Sequence, residues 1–308
     1  MAIYITVDGG TTNTRLYLVR GGITVCSKNL GVGARNGEDA LRSALKNGIA
    51  ELLKENSLCE SDIERILASG MITSEYGLCN LPHASLPAGK CELRDAMHET
   101  IFPDVCSVPW CFIRGVRSSA DTLEACDVMR GEETELMGLI ETSQSDALYI
   151  LPGSHSKHIS VDKDGKIIEF ATMMTGEFFA AIMQNTILRD AADFEHNTII
   201  EQKLFDGYEY TCSHGVNEAL FKTRILKNIF GATKEECYSF LLGAVLCDEI
   251  RSVLKSEKHT VIIGGQKQFR IAMAKILEKY GNKEIIMLTD EKVKNSTSLG
   301  AVRIYESK

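Results

Sequence analysis

A strand, a short polar turn and a second strand occur twice along this sequence, and the repetition constrains the fold more than any other feature. Residues 3–19 alternate apolar with polar side chains on either side of a small polar turn, and residues 147–161 repeat the pattern. Such alternation is typical of half-buried β-strands. Third strands are expected over residues 23–27 and 166–170. We therefore expect an α/β protein with two similar halves, each of which presents a hairpin turn to a shared cleft.

The composition is that of an ordinary globular protein, with 44% hydrophobic and 25% charged residues over 308 positions. This length favours about two domains, each large enough to bury its own core. The net charge of −8 argues against binding to nucleic acids or to anionic membranes. An anionic substrate would therefore have to be held by local donors.

The ten cysteines are scattered along the chain and include no C-x-x-C pair. This pattern indicates reduced thiols in a cytoplasmic protein and argues against a zinc or iron-sulfur centre. The first residues enter a strand directly, so no signal peptide is predicted. No apolar run approaches the roughly 18 residues of a membrane-spanning helix. We expect a cytoplasmic protein without a membrane segment.

The first turn contains Asp8, Gly9, Gly10, Thr11 and Thr12, and two interpretations fit it. Glycines with positive φ angles and an acidic residue are common in purely structural turns. Alternatively, successive backbone N–H groups and the threonine hydroxyls could bind phosphate oxygens, while the aspartate holds a divalent cation. The turn has neither the P-loop spacing nor the strand-helix context of a dinucleotide fingerprint. The turn alone leaves both interpretations open.

The second turn differs chemically from the first, because Pro152 stands in the place of the aspartate. It offers Ser154, His155 and Lys157 instead. A further buried strand ends in a glycine pair within residues 261–266. Ligands of open α/β sheets collect beyond such carboxyl ends, and a glycine pair lets a flat ring approach the backbone. Both segments are therefore candidates for ligand binding.

A cluster of acidic residues opens a predicted helix and also allows two interpretations. Glu132, Glu133 and Glu135 lie in the first helical turn, where the helix dipole favours negative charge. One of them could instead act as a general base. Arg114 and Arg117 could meet a carboxylate, although isolated arginines are usually solvated. The residue pattern does not decide between these roles.

Other elements follow from local patterns. Apolar residues at helical spacing predict a helix over residues 38–55 and another over residues 233–254. Residues 77–118, which hold four of the five prolines, and residues 205–215 are expected to be irregular. Ser296 is a candidate N-cap of the last helix.

Taken in order, these segments resemble the actin-like ATPase fold shared by hexokinase and glycerol kinase, and the resemblance covers essentially the whole chain. Residues 8–15 resemble the first phosphate motif of that superfamily, residues 152–157 the second and residues 262–266 the adenosine motif. The ending Thr297-Ser-Leu-Gly-Ala is similar to the T-A-L-G-A helix of the sugar kinases.

A narrower resemblance is to the 2-dehydro-3-deoxygalactonokinase family. It is carried by Met129-Arg-Gly-Glu-Glu-Thr-Glu-Leu136, Leu151-Pro-Gly-Ser-His-Ser-Lys157, Met174-Thr-Gly-Glu177 and Gly70-Met71. The sequence departs from the family pattern at Ile72-Thr73, where the family often has V-G, and at His158, where it has an aromatic residue. These departures bear on the identity of the sugar acid more than on the reaction.

The resemblance implies a fold and a reaction. The fold would be two similar RNase H-like domains of the actin/hexokinase type facing a central cleft, over residues 1–127 and 128–308. The reaction would transfer the γ-phosphoryl group of ATP, with Mg²⁺, to the terminal (6-) hydroxyl of 2-dehydro-3-deoxy-D-galactonate. The partners would be a sugar acid and a nucleotide, with no nucleic acid or membrane, and a homodimer is compatible with this reaction.

The resemblance also implies roles for individual residues. Glu132 would accept the proton of the sugar hydroxyl, with Glu133 as second choice, and Asp8 would act in catalysis and hold Mg²⁺. The phosphate groups would be bound by Gly9, Gly10, Thr11 and Thr12 in the first turn and by Gly153, Ser154, His155 and Lys157 in the second. Gly264, Gly265 and Gln266 would accommodate adenosine. The sugar acid would be bound by an unranked set of donors: Arg15, Ser74, Arg114, Arg117 and Thr175.

Three alternatives remain open on the sequence. The acceptor could be another sugar or sugar acid, or it could be water, which would make the protein an actin-like phosphohydrolase. A non-catalytic nucleotide-binding regulator or assembly protein is the third. The last is disfavoured because the chain keeps acidic groups at Asp8 and Glu132 and has no spare basic segment.

Overall fold

The computed structural model describes residues 1–118, 122–141 and 146–307. The chain divides into two compact units. The first consists of Met1–Ser145, Val161–Glu169 and Glu291–Lys308, and the second of Asp146–Ser160 and Phe170–Asp290. The predicted division into equivalent halves at residues 127 and 128 stays a prediction, because compactness alone does not show which segments are equivalent.

The regular elements are numbered in chain order. The strands are β1 (Ile3–Gly9), β2 (Thr14–Arg20), β3 (Ile23–Asn29), β4 (Arg65–Gly70), β5 (Ala84–Ser85), β6 (His98–Thr100), β7 (Trp110–Phe112), β8 (Val116–Arg117), β9 (Val128–Met129), β10 (Leu148–Leu151), β11 (Ser156–Val161), β12 (Ile167–Met173), β13 (Thr260–Ile263) and β14 (Glu284–Met287). The helices are α1 (Glu38–Glu55), α2 (Lys90–Asp95), α3 (Glu132–Leu139), α4 (Thr175–Asn185), α5 (Glu201–His214), α6 (Val216–Asn228), α7 (Lys234–Lys255), α8 (Lys267–Tyr280) and α9 (Asp290–Tyr305).

The first unit is built on a six-stranded sheet with the order β3-β2-β1-β4-β7-β6. In it β1 runs antiparallel to β2, where Asp8 pairs with Arg15, and parallel to β4, where Asp8 pairs with Ser69. Leu41 and Leu45 of α1 are buried in the same core as the apolar side chains of β1. The sheet therefore places the carboxyl ends of β1 and β4 side by side, next to the first turn.

The second unit is built on a sheet with the order β12-β11-β10-β13-β14. Here β10 pairs antiparallel with β11 and parallel with β13, as β1 does with β2 and β4. The predicted repetition of the three-strand meander is therefore confirmed. The helix predicted over residues 233–254 is α7, and Thr233 caps it by accepting a hydrogen bond from the N–H of Glu236 at 3.2 Å.

The expectation that residues 77–118 are irregular was wrong in part. The segment contains α2 and the short strands β5 to β8, and β7 pairs with β4 inside the first sheet. Trp110 and Phe112 of β7 are fully buried. The prolines lie between these elements, and the strands are only two or three residues long. Such short strands could not be recognised in a segment rich in proline.

Two further local expectations were wrong. Residues 205–215 are not irregular, because α5 runs through all but the last of them and buries Leu204 and Tyr208 at helical spacing. Ser296 does not cap a helix, since α9 begins at Asp290 and buries Ser296 in its interior. A side chain on Gly138 of α3 would lie 1.9 Å from the carbonyl oxygen of Ser296, so α9 packs backbone to backbone on α3 there. Within the described residues, no helix has the length and apolar character needed to cross a membrane.

Candidate active site

Three glycines join the end of β1, the end of β4 and the start of α3 in the first unit. A side chain on Gly70, whose φ is +83°, would lie 2.4 Å from the carbonyl oxygen of Gly9. Gly131, with a φ of +113°, would place a Cβ 3.3 Å from the Cα of Gly70. Positive φ and close approach both require glycine. This backbone contact brings Asp8, at the end of β1, near enough to Glu132, at the start of α3, for their charges to interact.

Asp8 lies in a partly buried and charged environment. Its Oδ2 is 3.5 Å from Nη1 of Arg15, its antiparallel neighbour on β2. Burial raises the pKa of the Asp8 carboxyl; the positive charge of Arg15 opposes this, and the negative charge of Glu132 adds to it. Together these effects raise the pKa of Asp8. A cation bound at this point would therefore stabilise the ionised carboxylate.

Backbone hydrogen bonds fix the first turn, and most of them are accepted by its own carbonyl oxygens. The N–H of Gly10 donates to the carbonyl of Asn13 at 2.8 Å and closes the turn. The carbonyls of Gly10 and Thr11 accept hydrogen bonds of 3.0 Å each from the 3-10 turn that follows β3. Thr11 and Thr12 are exposed, so their hydroxyls are accessible to a ligand. Phosphate binding by this turn is compatible with the geometry and stays a prediction.

The two glutamates predicted as general base have different surroundings. Glu133 is fully buried, and its carboxylate accepts hydrogen bonds from the N–H of Gly131 at 2.8 Å and from the hydroxyl of Thr134 at 2.9 Å. Burial, followed by the charge of Glu132, raises the pKa of Glu133 to about 7. Glu132 is partly exposed and accepts a hydrogen bond from the N–H of Arg130 at 3.0 Å. Glu133 thus supports the start of α3, and Glu132 is the better placed to reach a substrate.

Glu135 belongs to the same cluster, although the sequence interpretation did not select it. It follows Glu132 by three positions, a spacing that puts both on one side of a helix. Burial, followed by the charges of Glu132 and Asp8, raises the pKa of Glu135 to about 8, while Arg15 and a hydrogen bond with Ser296 lower it. The spacing was visible in the sequence and was the signal that could have identified this residue.

We expect the stability of the protein to fall as the pH rises from about 4.5 to about 8, in part because of Glu135. The folded state keeps a proton on this carboxyl up to its raised pKa of about 8, whereas the unfolded state loses it near the ordinary value of 4.5. In this window one such group lowers the free energy of unfolding by up to about 1.4 kcal/mol per pH unit, and its effect levels off above the window. Urea unfolding of the wild type and of Glu135→Gln across this range measures the difference.

Glu135→Gln should lack the part of the fall in the free energy of unfolding that the titration of Glu135 causes. The contribution of Glu133, whose raised pKa is about 7, has the same sign and is present in both proteins. The two stability profiles should therefore lie close together near pH 4.5 and separate as the pH rises, with the wild type falling below the variant. Parallel profiles would contradict the placement of Glu135 in the acidic cluster.

The predicted sugar-acid ligands of the first unit differ in availability. Ser74 is buried, and its hydroxyl donates to the carbonyl of Met71 at 2.7 Å. Nε of Arg117 donates to the carbonyl of Ser118 at 3.3 Å. Nε of Arg114 is buried and has no hydrogen-bond partner among the described residues. Arg114 therefore has a donor left for a ligand carboxylate, and buried donors are rarely left unpaired.

In the second unit, the second turn packs directly against the start of α4. A side chain on Gly176 would lie 2.1 Å from the carbonyl oxygen of Gly153, and the N–H of Glu177 donates to the carbonyl of Ser154 at 3.0 Å. Thr175 is the first residue of α4 and is buried. A helix N-terminus favours anions through its free N–H groups and its dipole. Thr175 and the second turn therefore meet at an end of the helix that suits phosphate.

The glycine pair after β13 also contacts the second turn. The N–H of Gly264 donates to the carbonyl of Ile150 at 2.8 Å, and that of Gln266 donates to the carbonyl of Pro152 at 2.7 Å. Gly265 has a φ of +63°, and a Cβ there would lie 2.3 Å from the carbonyl oxygen of Pro152. The second turn, the glycine pair and the start of α4 are thus joined through backbone atoms.

Two side chains of the second turn have hydrogen-bond partners, one on α4 and one in the turn itself. Nε2 of His155 lies 2.9 Å from Oε2 of Glu177, and both side chains are about half exposed. Lys157 is buried, and its Nζ donates to the carbonyl of His155 at 3.2 Å. Ser154 is exposed. Of the predicted phosphate ligands, Ser154 and His155 are therefore accessible, whereas Lys157 supports the turn.

A buried carboxylate joins β11 to α7. Oε2 of Glu249 accepts hydrogen bonds from the hydroxyl of Ser156 at 2.8 Å and from Nε2 of His158 at 3.0 Å, and all three side chains are buried. Ser156 and His158 are two residues apart on a strand and so point to the same face. The bond to Glu249 gives a physical reason for a histidine where the family pattern has an aromatic residue. Glu249 also borders a cavity of about 600 Å³ together with Thr175 and Glu177.

Replacing Glu249 with alanine should lower the free energy of unfolding by about 3 kcal/mol, because it leaves two buried donors without an acceptor. The neighbouring Asp248→Ala is the matched control. The side chain of Asp248 is 78% exposed and pairs with Arg251 at 3.5 Å, so its loss should cost at most about 1 kcal/mol. Urea unfolding of both variants measures the difference, and equal losses would contradict the buried cluster.

The first unit offers carboxylate oxygens of the kind that Mg²⁺ binds. Within the described residues, no three His, Cys, Asp or Glu side chains are grouped to hold a metal ion by themselves. Mg²⁺ commonly keeps several waters and binds one or two carboxylates together with substrate phosphates. Asp8 meets that requirement, since its carboxylate is partly exposed and lies beside the charge of Glu132. The residues present therefore fit Mg²⁺ that arrives with a nucleotide.

Comparison with solved structures identifies the fold. The crystal structure of a Sinorhizobium meliloti protein assigned as a 2-dehydro-3-deoxygalactonokinase matches with a TM-score of 0.77 and 24% identity, covering 99% of this chain and 100% of that one. A ligand-bound xylulose kinase from Lactobacillus acidophilus matches with a TM-score of 0.54 and 10% identity, covering 99% and 89%. The predicted actin-like, two-domain kinase fold is confirmed.

The fold, the family match and the curated relative reported next together identify an ATP-dependent carbohydrate kinase. The family model described as 2-keto-3-deoxy-galactonokinase matches residues 8–298. The chain therefore belongs to the 2-keto-3-deoxy-galactonokinase family, as the sequence resemblance predicted. It is 26% identical over 259 residues to the 2-dehydro-3-deoxygalactonokinase of Escherichia coli (strain K12), covering 82% of this chain and 80% of that protein.

Proposed function

We propose that this protein transfers the γ-phosphoryl group of ATP to the terminal (6-) hydroxyl of 2-dehydro-3-deoxy-D-galactonate. Family membership supports the sugar acid as substrate. The observation that carries the catalytic part is the glycine contact that brings Asp8 and Glu132 together at the first turn. Phosphoryl transfer requires mainly positioning and neutralisation of charge, with one group to take the proton of the acceptor hydroxyl.

In the first unit, Glu132 accepts the proton of the sugar hydroxyl as the phosphoryl group is transferred. Its partial exposure supports this role, and the two internal hydrogen bonds of Glu133 argue against the neighbouring residue. Asp8 holds Mg²⁺, which when bound offsets negative charge on the phosphate oxygens. The first turn, residues 9–12, binds phosphate oxygens through the exposed hydroxyls of Thr11 and Thr12 and through backbone N–H groups other than that of Gly10, which donates to Asn13.

In the second unit, the second turn and the start of α4 bind phosphate oxygens, and residues 264–266 accept the adenosine. Ser154 and His155 are accessible donors, and the N-terminus of α4 adds the favourable field of a helix dipole. Lys157 contributes indirectly, because it keeps the carbonyl of His155 in place.

The carboxylate of the sugar acid needs a cationic partner, and Arg114 is the first choice. Its buried Nε without a partner among the described residues is an unused donor. A planar guanidinium can bind a carboxylate through two parallel hydrogen bonds. Arg15, Arg117, Ser74 and Thr175 are the other candidates, and Ser74 is the least available because its hydroxyl bonds within its own turn. We place the protein in the cytoplasm.

The test compares acceptors in the presence of ATP and Mg²⁺. ADP formation is measured with 2-dehydro-3-deoxy-D-galactonate, its gluconate epimer, glycerol, common hexoses and no added acceptor, and the products are weighed by mass spectrometry. The galactonate derivative should give the highest kcat/KM, with one phosphorylated sugar acid formed per ADP. A higher kcat/KM for another acceptor would change the assigned substrate. Release of inorganic phosphate without any phosphorylated acceptor would make the protein a phosphohydrolase.

A further inference from the structure

Two thiols of the second unit lie next to each other across a helix pair. Sγ of Cys212, on α5, is 3.4 Å from Sγ of Cys247, on α7. Both are free cysteines, the first exposed and the second buried. A disulfide bond is about 2.05 Å long, so the two sulfurs need to approach each other by only roughly 1.4 Å to form one.

Close packing of the two helices produces this proximity. A side chain on Gly243 of α7 would lie 2.0 Å from the carbonyl oxygen of Leu204 and 3.1 Å from the backbone nitrogen of Tyr208, both on α5. Cys212 follows Tyr208 by four positions and Cys247 follows Gly243 by four, which is about one helical turn in each case. The register of the helix pair therefore sets the two thiols opposite each other, independently of any single rotamer.

We propose that Cys212 and Cys247 are a modification site that forms a reversible disulfide on exposure to hydrogen peroxide. The accessible Cys212 thiolate attacks peroxide and the O–O bond breaks, which gives a sulfenic acid and a hydroxide that becomes water by taking up the proton lost by the thiol. The Cys247 thiolate then attacks the sulfenic sulfur, the S–O bond breaks, and the hydroxide that leaves takes up a proton to form a second water. The two thiols give up two electrons to the peroxide, and a dithiol reductant reverses the reaction by exchange.

The groups around Cys247 control the rate of its step. Burial, followed by the neighbouring Cys212, raises the pKa of Cys247 to about 12; Arg251 on α7 opposes the rise and Asp248 adds to it. From α5, Tyr208 faces the same pair and is hydrogen-bonded to Cys212. Because the thiolate is the reacting form, cross-linking should be slow near neutral pH and should accelerate roughly tenfold per pH unit while Cys247 limits the rate.

The expected reduced state of the cysteines is consistent with this site. In a reducing compartment a disulfide of this kind forms transiently under oxidant exposure and is then reduced. Once formed, it closes a loop that spans the end of α5, all of α6 and half of α7. Closing a loop in the unfolded chain generally stabilises the folded state. The oxidised protein should therefore unfold at a higher temperature than the reduced protein.

The experiment treats the full chain with hydrogen peroxide, blocks the remaining thiols with iodoacetamide and maps disulfides by peptide mass spectrometry. We expect a peptide pair that joins Cys212 to Cys247, faster formation at higher pH, and loss of the pair with dithiothreitol. The thermal unfolding midpoint should rise by several degrees on oxidation. Cys212→Ser should lose the cross-link and the rise, whereas Cys59→Ser, which removes an exposed thiol of the first unit, should keep both.

Three results would overturn the proposal. They are alkylation of both Cys212 and Cys247 under conditions that oxidise Cys59, oxidation of Cys212 to the sulfinic acid without a cross-link, and pairing of either residue with another cysteine. Cys212 is exposed, so Cys212→Ser should fold even if a variant at the buried Cys247 does not. These readouts use neither ATP nor a sugar acid, and they are therefore independent of the proposed kinase reaction.

Discussion

Replacing Asp8 with asparagine should lower kcat by at least about a hundredfold, the usual cost of removing one group that stabilises charge at a reaction centre. Asparagine has the same size but no charge, so it is a poor ligand for Mg²⁺ and leaves the phosphate charge less well offset. The loss should appear in kcat at saturating ATP and sugar acid. The initial rate of ADP formation measures it.

The fold should tolerate this change. Asp8 pairs with Arg15 at 3.5 Å, and the arginine side chain is 55% exposed, so the ion pair contributes at most about 1 kcal/mol. Asp95→Asn is the matched control, since Asp95 is an exposed aspartate at the end of α2 in the same unit. That control should keep the wild-type kcat. If Asp8→Asn also stays within tenfold of the wild type, Asp8 has no catalytic role.

Replacing Glu132 with glutamine should lower kcat by about 10² to 10⁴, which is the range attributed to a positioned general base. Glutamine keeps the shape of the side chain and can still accept the hydrogen bond from the N–H of Arg130. It cannot take the proton of the sugar hydroxyl. The effect should be confined to kcat, with the KM for ATP little changed, in the same assay of ADP formation.

Glu133→Gln provides the contrast in the next position. Both oxygens of Glu133 already accept hydrogen bonds at the start of α3, from Gly131 just before the helix and from Thr134, so this variant should act mainly on stability. Its kcat should stay within about tenfold of the wild type, well above that of Glu132→Gln. The reverse order, with the larger loss of kcat in Glu133→Gln, would assign the base to Glu133.

Local patterns in the sequence were sufficient to predict most elements that carry the candidate site. Both meanders follow from the alternation of apolar and polar residues, and α1 has the predicted bounds of Glu38–Glu55. A hairpin or an amphipathic helix depends on residues that are close in the sequence, so a short window contains the information. The resemblance then predicted the family and the fold, and the comparisons confirm both.

Contacts between distant segments were not predictable in this way. Gly9, Gly70 and Gly131 lie far apart in the sequence, and their meeting depends on the pairing of β1 with β4 and on the packing of α3. The raised pKa of Glu135 depends on the same contacts, because its causes are burial and the neighbouring acids. β7 was missed for a related reason, since three residues become a strand only through pairing with their neighbours.

Locating the phosphate on the product is the most direct measurement of the proposed reaction. The sugar acid is incubated with ATP, Mg²⁺ and the enzyme, and the product is examined by phosphorus and proton NMR. We expect a single phosphate ester whose phosphorus couples to the two protons on the terminal carbon, with a much weaker signal after the same reaction time for Asp8→Asn and Glu132→Gln. Phosphorus coupled to protons at any other carbon, or found as inorganic phosphate alone, would contradict transfer to the terminal hydroxyl.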